Sequence, residues 1–123
     1  MGIQFRADLP LFLQIADWLK RGIVEGTYPP GERLPSIREL ALELSVTPNT
    51  LQRALSILEE EGLIRTERTS GKFVTRDGGR IRALRDELMT GRIRELVADF
   101  KKHGYSYEEI NACLEREWKS NDE

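Results

Sequence analysis

Apolar side chains recur every three to four positions along most of this chain, and the interruptions in that rhythm mark its joints. Leu11, Ile15, Leu19 and Ile23 line one face of a first helix, with Asp8 placed to cap it, Leu9 and Pro10 in its first turn and Gly26 as its stop. Thr27 to Gly31 holds two consecutive prolines and breaks regular structure, and a short strand is expected around Arg33-Leu34. Ser36 and Glu39 have the spacing of a capping box, so a second helix opens at Ser36 and buries Ile37, Leu40, Ala41 and Leu44. Only Ser45 to Thr47 separate it from a third helix, which Thr47 caps and Pro48 opens at no cost, because the missing N–H would be unpaired there. Leu51, Ala54, Leu55 and Leu58 form the buried stripe of that helix, and Gly62 stops it.

Beyond Gly62 the rhythm changes. Leu63 to Glu67 and Lys72 to Arg76 are short strand candidates joined by the polar turn Arg68-Thr69-Ser70-Gly71, which predicts a β-hairpin. Gly78-Gly79 is expected to be a hinge. Two more helical patterns follow. The first carries Ile81, Leu84 and Leu88 on one stripe and Met89, Ile93, Leu96, Val97 and Phe100 on another, with the change of phase at Thr90-Gly91. Lys101, Lys102 and His103 suit its negative end, and Gly104 stops it. Ser106 and Glu109 form a second capping box for a last helix that faces Ile110, Cys113, Leu114 and Trp118 to one side. The predicted architecture is therefore mainly α with a small β-hairpin: a winged helix-turn-helix domain over residues 1–76, followed by a two-helix C-terminal dimerisation tail over residues 77–123.

Two helices joined by a three-residue turn are the helix-turn-helix signature, and a hairpin directly after them completes a winged helix. The face of the third helix opposite its apolar stripe carries Asn49, Arg53 and Ser56, flanked by Thr50 and Gln52. Asn and Gln can bond adenine at two points, Arg can do the same with guanine, and hydroxyls reach phosphate. Arg38, beside this helix, is a candidate phosphate clamp, and Arg68 and Lys72 at the hairpin are candidates for gripping the backbone in a neighbouring groove. Glu59, Glu60 and Glu61 crowd the negative end of the third helix and would repel phosphates, so contact is expected from its first two turns.

Charge refines this picture. The chain of 123 residues carries a net charge of −2, which alone argues weakly against nucleic acid. Yet Arg65 to Arg85 holds seven basic residues against two acidic ones, whereas from Asp86 onward acids outnumber bases by ten to six. The acidity lies mostly away from the reading surface. One cysteine, Cys113, and one histidine, His103, provide neither a disulfide framework nor a metal cluster. No apolar run suits a membrane and no signal pattern opens the chain, so a cytoplasmic protein without membrane contact is expected. No catalytic constellation or phosphate-binding loop stands out, so neither an enzyme nor a cofactor is expected. The tail exposes more apolar side chains than two helices can hide against each other, and pairing with the tail of a second subunit resolves this. Leu84, Leu88, Ile93, Leu96, Val97, Phe100, Ile110, Leu114 and Trp118 are the candidate dimerisation residues. A winged helix used only to contact another protein is the alternative reading.

Several motifs occur in order: Pro10-Leu11-Phe12, Gly26, Pro30-Gly31-Glu32-Arg33-Leu34-Pro35-Ser36-Ile37-Arg38-Glu39-Leu40-Ala41, Val46-Thr47-Pro48-Asn49-Thr50-Leu51-Gln52-Arg53-Ala54-Leu55, Leu58-Glu59-Glu60-Glu61-Gly62-Leu63-Ile64 and Gly71-Lys72-Phe73-Val74. Together they resemble the DNA-binding domain of the GntR family of bacterial transcription regulators, and the short tail resembles its YtrA-type subfamily. The resemblance implies a homodimer that binds a palindromic operator on double-stranded DNA, commonly as a repressor. It also implies DNA contacts from Arg38, Thr47, Asn49, Thr50 and Gly71, to which the reading of the residues themselves adds Ser36, Gln52, Arg53, Arg68 and Lys72 as candidates. Many members have arginine where this chain has Pro48, and some where it has Gln52, so base preference does not carry over at those positions. Larger members append an effector-binding domain for which the tail is too small, which makes a small-molecule effector doubtful.

Overall fold

The computed structural model describes residues 4–122. It contains α1 (Leu11–Glu25), α2 (Ile37–Leu44), α3 (Pro48–Glu60), β1 (Ile64–Glu67), β2 (Gly71–Val74), α4 (Gly78–Lys102) and α5 (Tyr107–Asn121). These form two compact units, Met1–Asp86 and Glu87–Glu123, with α4 contributing to both.

In the first unit α3 is central: both α1 and α2 pack against it, and β1 follows from its end. Leu51, Ala54, Leu55 and Leu58 are each at most 2% exposed, and Ile15, Leu19, Leu40 and Leu63 on the neighbouring segments are equally buried. The caps fall where local chemistry dictates. Ser36 accepts from the Glu39 N–H while the Glu39 carboxylate accepts from the Ser36 N–H, a complete capping box. These bonds hold the Glu39 carboxyl below the usual carboxylate range. Thr47 accepts from the Thr50 N–H, and Pro48 takes the first helical position. The turn between α2 and α3 is closed by Ser45, a left-handed residue with φ 56°, and by the Val46 N–H donating to the Ala41 carbonyl at 3.0 Å.

β1 and β2 form an antiparallel hairpin in which Ile64 faces Val74 and Glu67 faces Gly71. The strand expected near Arg33 is a single bridge to Phe73, with the Leu34 N–H bonded to the Lys72 carbonyl at 2.8 Å. Gly71 has φ +108°, a backbone conformation that side-chain-bearing residues rarely adopt, so the chain can leave the turn and pair with Glu67 at once.

Three expectations are corrected. Asp8 does not cap α1; it is ion-paired with Arg6 at 2.6 Å, and Pro10 occupies the cap position with no side-chain bond. Leu11 is 36% exposed, and the buried face of α1 is Ile15, Ala16, Leu19, Gly22 and Ile23. Gly78-Gly79 is not a hinge but the first turn of α4, because the Asp77 carboxylate accepts from the Gly79 and Arg80 N–H groups at 2.9 and 3.2 Å.

Gly22 marks the tightest packing of α1. A Cβ there would lie 2.7 Å from the ring of Tyr28, which is 9% exposed and meets Trp18 edge-on with centroids 6.3 Å apart. Gly22→Ala should therefore destabilise the protein by about 1–3 kcal/mol in urea denaturation, the usual range for overpacking. Burial, aided by the charge of Glu43, pushes the Tyr28 hydroxyl from its ordinary 10.0 up to about 12. Above pH 10 the unfolded chain ionises this phenol while the folded chain resists, so stability falls as pH rises through that window. Tyr28→Phe should remove that part of the alkaline slope, measured as unfolding free energy between pH 9 and pH 12.

Candidate nucleic-acid interface

Because the apolar stripe of α3 is turned inward, its opposite face is held outward. Thr47, Asn49, Gln52 and Arg53 are exposed there, and Thr50 is half-buried. The Thr47 and Thr50 hydroxyls are 2.9 Å apart and share a hydrogen bond, so both are fixed at the start of the helix. Ser56 donates back to the Gln52 carbonyl at 3.0 Å, which turns its hydroxyl toward its own helix. Arg38 is exposed on the first turn of α2, beside the capping box that engages the Ser36 hydroxyl.

On the wing, Arg68 is exposed at the tip and Gly71 closes the turn. Lys72 is placed differently: its ammonium donates to the Thr66 hydroxyl at 2.8 Å, lies 3.6 Å from the Glu59 carboxylate, and its side chain is only 14% exposed. It ties the hairpin to the end of α3. Two arginines that sequence reasoning passed over also shape this region. Arg33 lies against Gly71, where a Cβ would sit 2.8 Å from its Nε, and Arg65 is paired with Glu67 and stacks over Phe73. No spacing rule links Arg33 to Gly71; the bridge between Arg33 and Phe73 brings them together.

Two of the three glutamates at the end of α3 are less isolated than their spacing suggests. Glu61 is paired with Lys20 of α1 at 2.9 Å and with Arg80 of α4 at 3.7 Å, and Arg80 also donates to the Glu61 carbonyl at 2.8 Å. Glu59 accepts from the Thr66 hydroxyl at 3.1 Å and faces Lys72. These cations neutralise the negative end of α3 and fasten α1, the wing and α4 to it. Charge is thus separated along one helix: polar and cationic groups at its free start, internally paired acids at its end.

Leu84, placed among the dimerisation residues, is 1% exposed and belongs to the core of the first unit, out of reach of a second subunit. In the second unit Ile93, Leu96, Val97, Leu114 and Trp118 are 42–69% exposed, and no described residue of α5 is buried. Phe100 meets Tyr105 edge-on at 6.3 Å, while Ile110 and Leu88, both in the second unit, are half-buried. Among the described residues no group of His, Cys, Asp or Glu is arranged to hold a metal, and no helix is long and apolar enough to cross a membrane.

A three-residue turn into an outward-facing polar helix, followed by a hairpin, defines a winged-helix DNA-binding protein. Comparison with known proteins agrees: the family model for bacterial regulatory proteins, gntR family, matches residues 11–74. Over 110 residues the chain is 36% identical to the uncharacterized HTH-type transcriptional regulator YhcF of Bacillus subtilis, covering 89% of this chain and 91% of that protein. It is 30% identical over 115 residues to the HTH-type transcriptional repressor YtrA of the same organism, covering 89% and 85%. A solved GntR family transcriptional regulator from Listeria monocytogenes superposes with a TM-score of 0.84 at 37% identity, covering 91% of this chain and 98% of that one. The chain belongs to the gntR family of bacterial regulatory proteins. It is a DNA-binding transcription regulator and not an enzyme.

The two wing cations should separate in a salt titration of DNA binding. Arg68→Ala is expected to lower the salt slope by about one unit, as for loss of one phosphate contact. Lys72→Ala should change the slope by less than that but lower the melting temperature, because it releases Glu59 and Thr66. Equal slope changes with no loss of stability would contradict this division.

Proposed function

We propose that the protein is a homodimeric repressor that binds a palindromic operator, reading base edges with Asn49, Gln52 and Arg53 and fixing its register on phosphates with Arg38, Thr47, Thr50 and the wing at Arg68 and Gly71. The observation that carries this reading is the exposed polar face of α3, backed by a helix stripe that is at most 2% exposed. A rigid back and a free front are what groove reading requires. In that role the protein acts in the cytoplasm, on double-stranded DNA.

Pairing is assigned to the second unit, residues 87–123, through Ile93, Leu96, Val97, Phe100, Ile110, Leu114 and Trp118. A 15-residue helix with no buried side chain gains too little from its own backbone to stand alone, so its apolar side needs a second surface. A second copy supplies one and also matches the two-fold symmetry of a palindrome. The repressor assignment is supported by likeness to YtrA, itself described as a repressor.

Selection of bound sequences from a random DNA pool should recover a site with two inverted half-sites. Recovery of no preferred sequence would contradict the reading. Leu114→Asp, which places a charge within the apolar side of α5, should yield a folded monomer by sedimentation that binds one half-site but loses at least tenfold in affinity for the full palindrome. A variant that stays dimeric would move the interface elsewhere.

A further inference from the structure

Arg53 does not extend freely from the reading face. Its guanidinium lies over the ring of Phe12, in the first turn of α1, 3.9 Å from the ring centroid. Phe12 is half-buried while its neighbours Leu11 and Leu13 are exposed, so this ring alone in that stretch turns toward α3. Arg53 stands one helical turn after Asn49, on the same side of α3.

A planar guanidinium stacked on an aromatic ring loses one face to the ring but keeps its N–H donors in the plane, pointing outward. The stack therefore restricts rotation of a long side chain without using its hydrogen-bonding groups. An arginine held this way has less freedom to lose when it meets a guanine edge, and its fork approaches at a set angle.

We propose that Phe12 is a positioning residue for DNA reading: its ring holds the Arg53 guanidinium in place for one base pair of each half-site. The proposal rests on the DNA-reading function assigned above to α3, and it extends the functional surface to the N-terminal turn of α1, which need not touch a base itself. The ring is also the physical reason Arg53 and Phe12 belong together, since cation and π face attract without any shared backbone contact.

The test is a double-mutant cycle on the intact dimer, using a duplex recovered by random-pool selection and its single-base variants. Phe12→Leu should weaken binding about two- to five-fold, the magnitude of one exposed cation–π contact. It should also flatten preference at the same base pair that Arg53→Ala flattens. Phe12→Tyr, which keeps the ring, should restore both affinity and preference. In an Arg53→Ala background, Phe12→Leu should have no further effect. If the leucine variant melts, Phe12→Met, whose longer and more adaptable side chain fills gaps that leucine leaves, repeats the measurement. A loss that persists in the Arg53→Ala background, or a preference profile unchanged by Phe12→Leu, would overturn the positioning role while leaving the function of α3 intact. Failure of the unmutated protein to select any sequence would instead overturn the reading on which the proposal rests.

Discussion

Everything in the first unit depends on the burial of one side of α3. Leu51, Ala54, Leu55 and Leu58 point into the layer made by α1 and α2, and removing any of the three leucines would cost about 2–5 kcal/mol by the usual cavity penalty. That burial fixes the rotation of the helix about its axis, and the rotation decides which side chains face outward. The recognition surface is in this sense a by-product of core packing: Asn49 and Arg53 are exposed because Leu51 and Leu55 cannot be. A second constraint, electrostatic, acts at the far end. Three glutamates at a helix C-terminus add to the negative charge of its free carbonyls, and the fold pairs two of them, Glu59 and Glu61, with Lys20, Lys72 and Arg80 from three different elements. The same ion pairs that relieve repulsion also anchor the wing and the start of α4, so the reading end is presented by a braced scaffold.

Local chemistry made much of the fold legible in the sequence. The two capping boxes at Ser36 and Ser106, the Thr47-Pro48 start of α3 and the glycine stops each act within four residues, and each lies where its spacing predicts. What was not legible depends on groups far apart in the chain. Lys20 and Glu61 are separated by 41 residues, and nothing in either segment announces the other. Asp8 has the right position for a cap but a nearer partner in Arg6, and Gly78-Gly79 has hinge composition but lies under the carboxylate of Asp77. Leu84 shares a helical stripe with residues expected in the tail, yet the first unit runs to Asp86 and takes it into its core.

The site divides the same way. Residues on the open face of α3 could be listed from helical phase alone, because periodicity fixes direction. Whether a given cation is free could not. Lys72 and Arg68 stand near one another on one hairpin and read alike in sequence, but Lys72 is held by Thr66 and Glu59 and Arg68 extends from the tip. The second unit is the opposite case, with a clear apolar pattern and, among the described residues, no buried side chain on α5. An exposed apolar pattern of this kind suits a partner surface, and the proposed second copy would also give the DNA-binding units a two-fold relation.

DNA is expected to meet the start of α3 and the tip of the wing, while the acidic end of α3 stays clear of it. Titrating a selected operator duplex into the isotopically labelled protein and following backbone amide resonances by NMR tests it most directly. The largest shifts are expected at Arg38, at Thr47 to Arg53 and at Arg68 to Gly71, with Glu59 to Glu61 and Lys20 little changed. Shifts centred on Glu59 to Glu61, with Thr47 to Arg53 undisturbed, would contradict it.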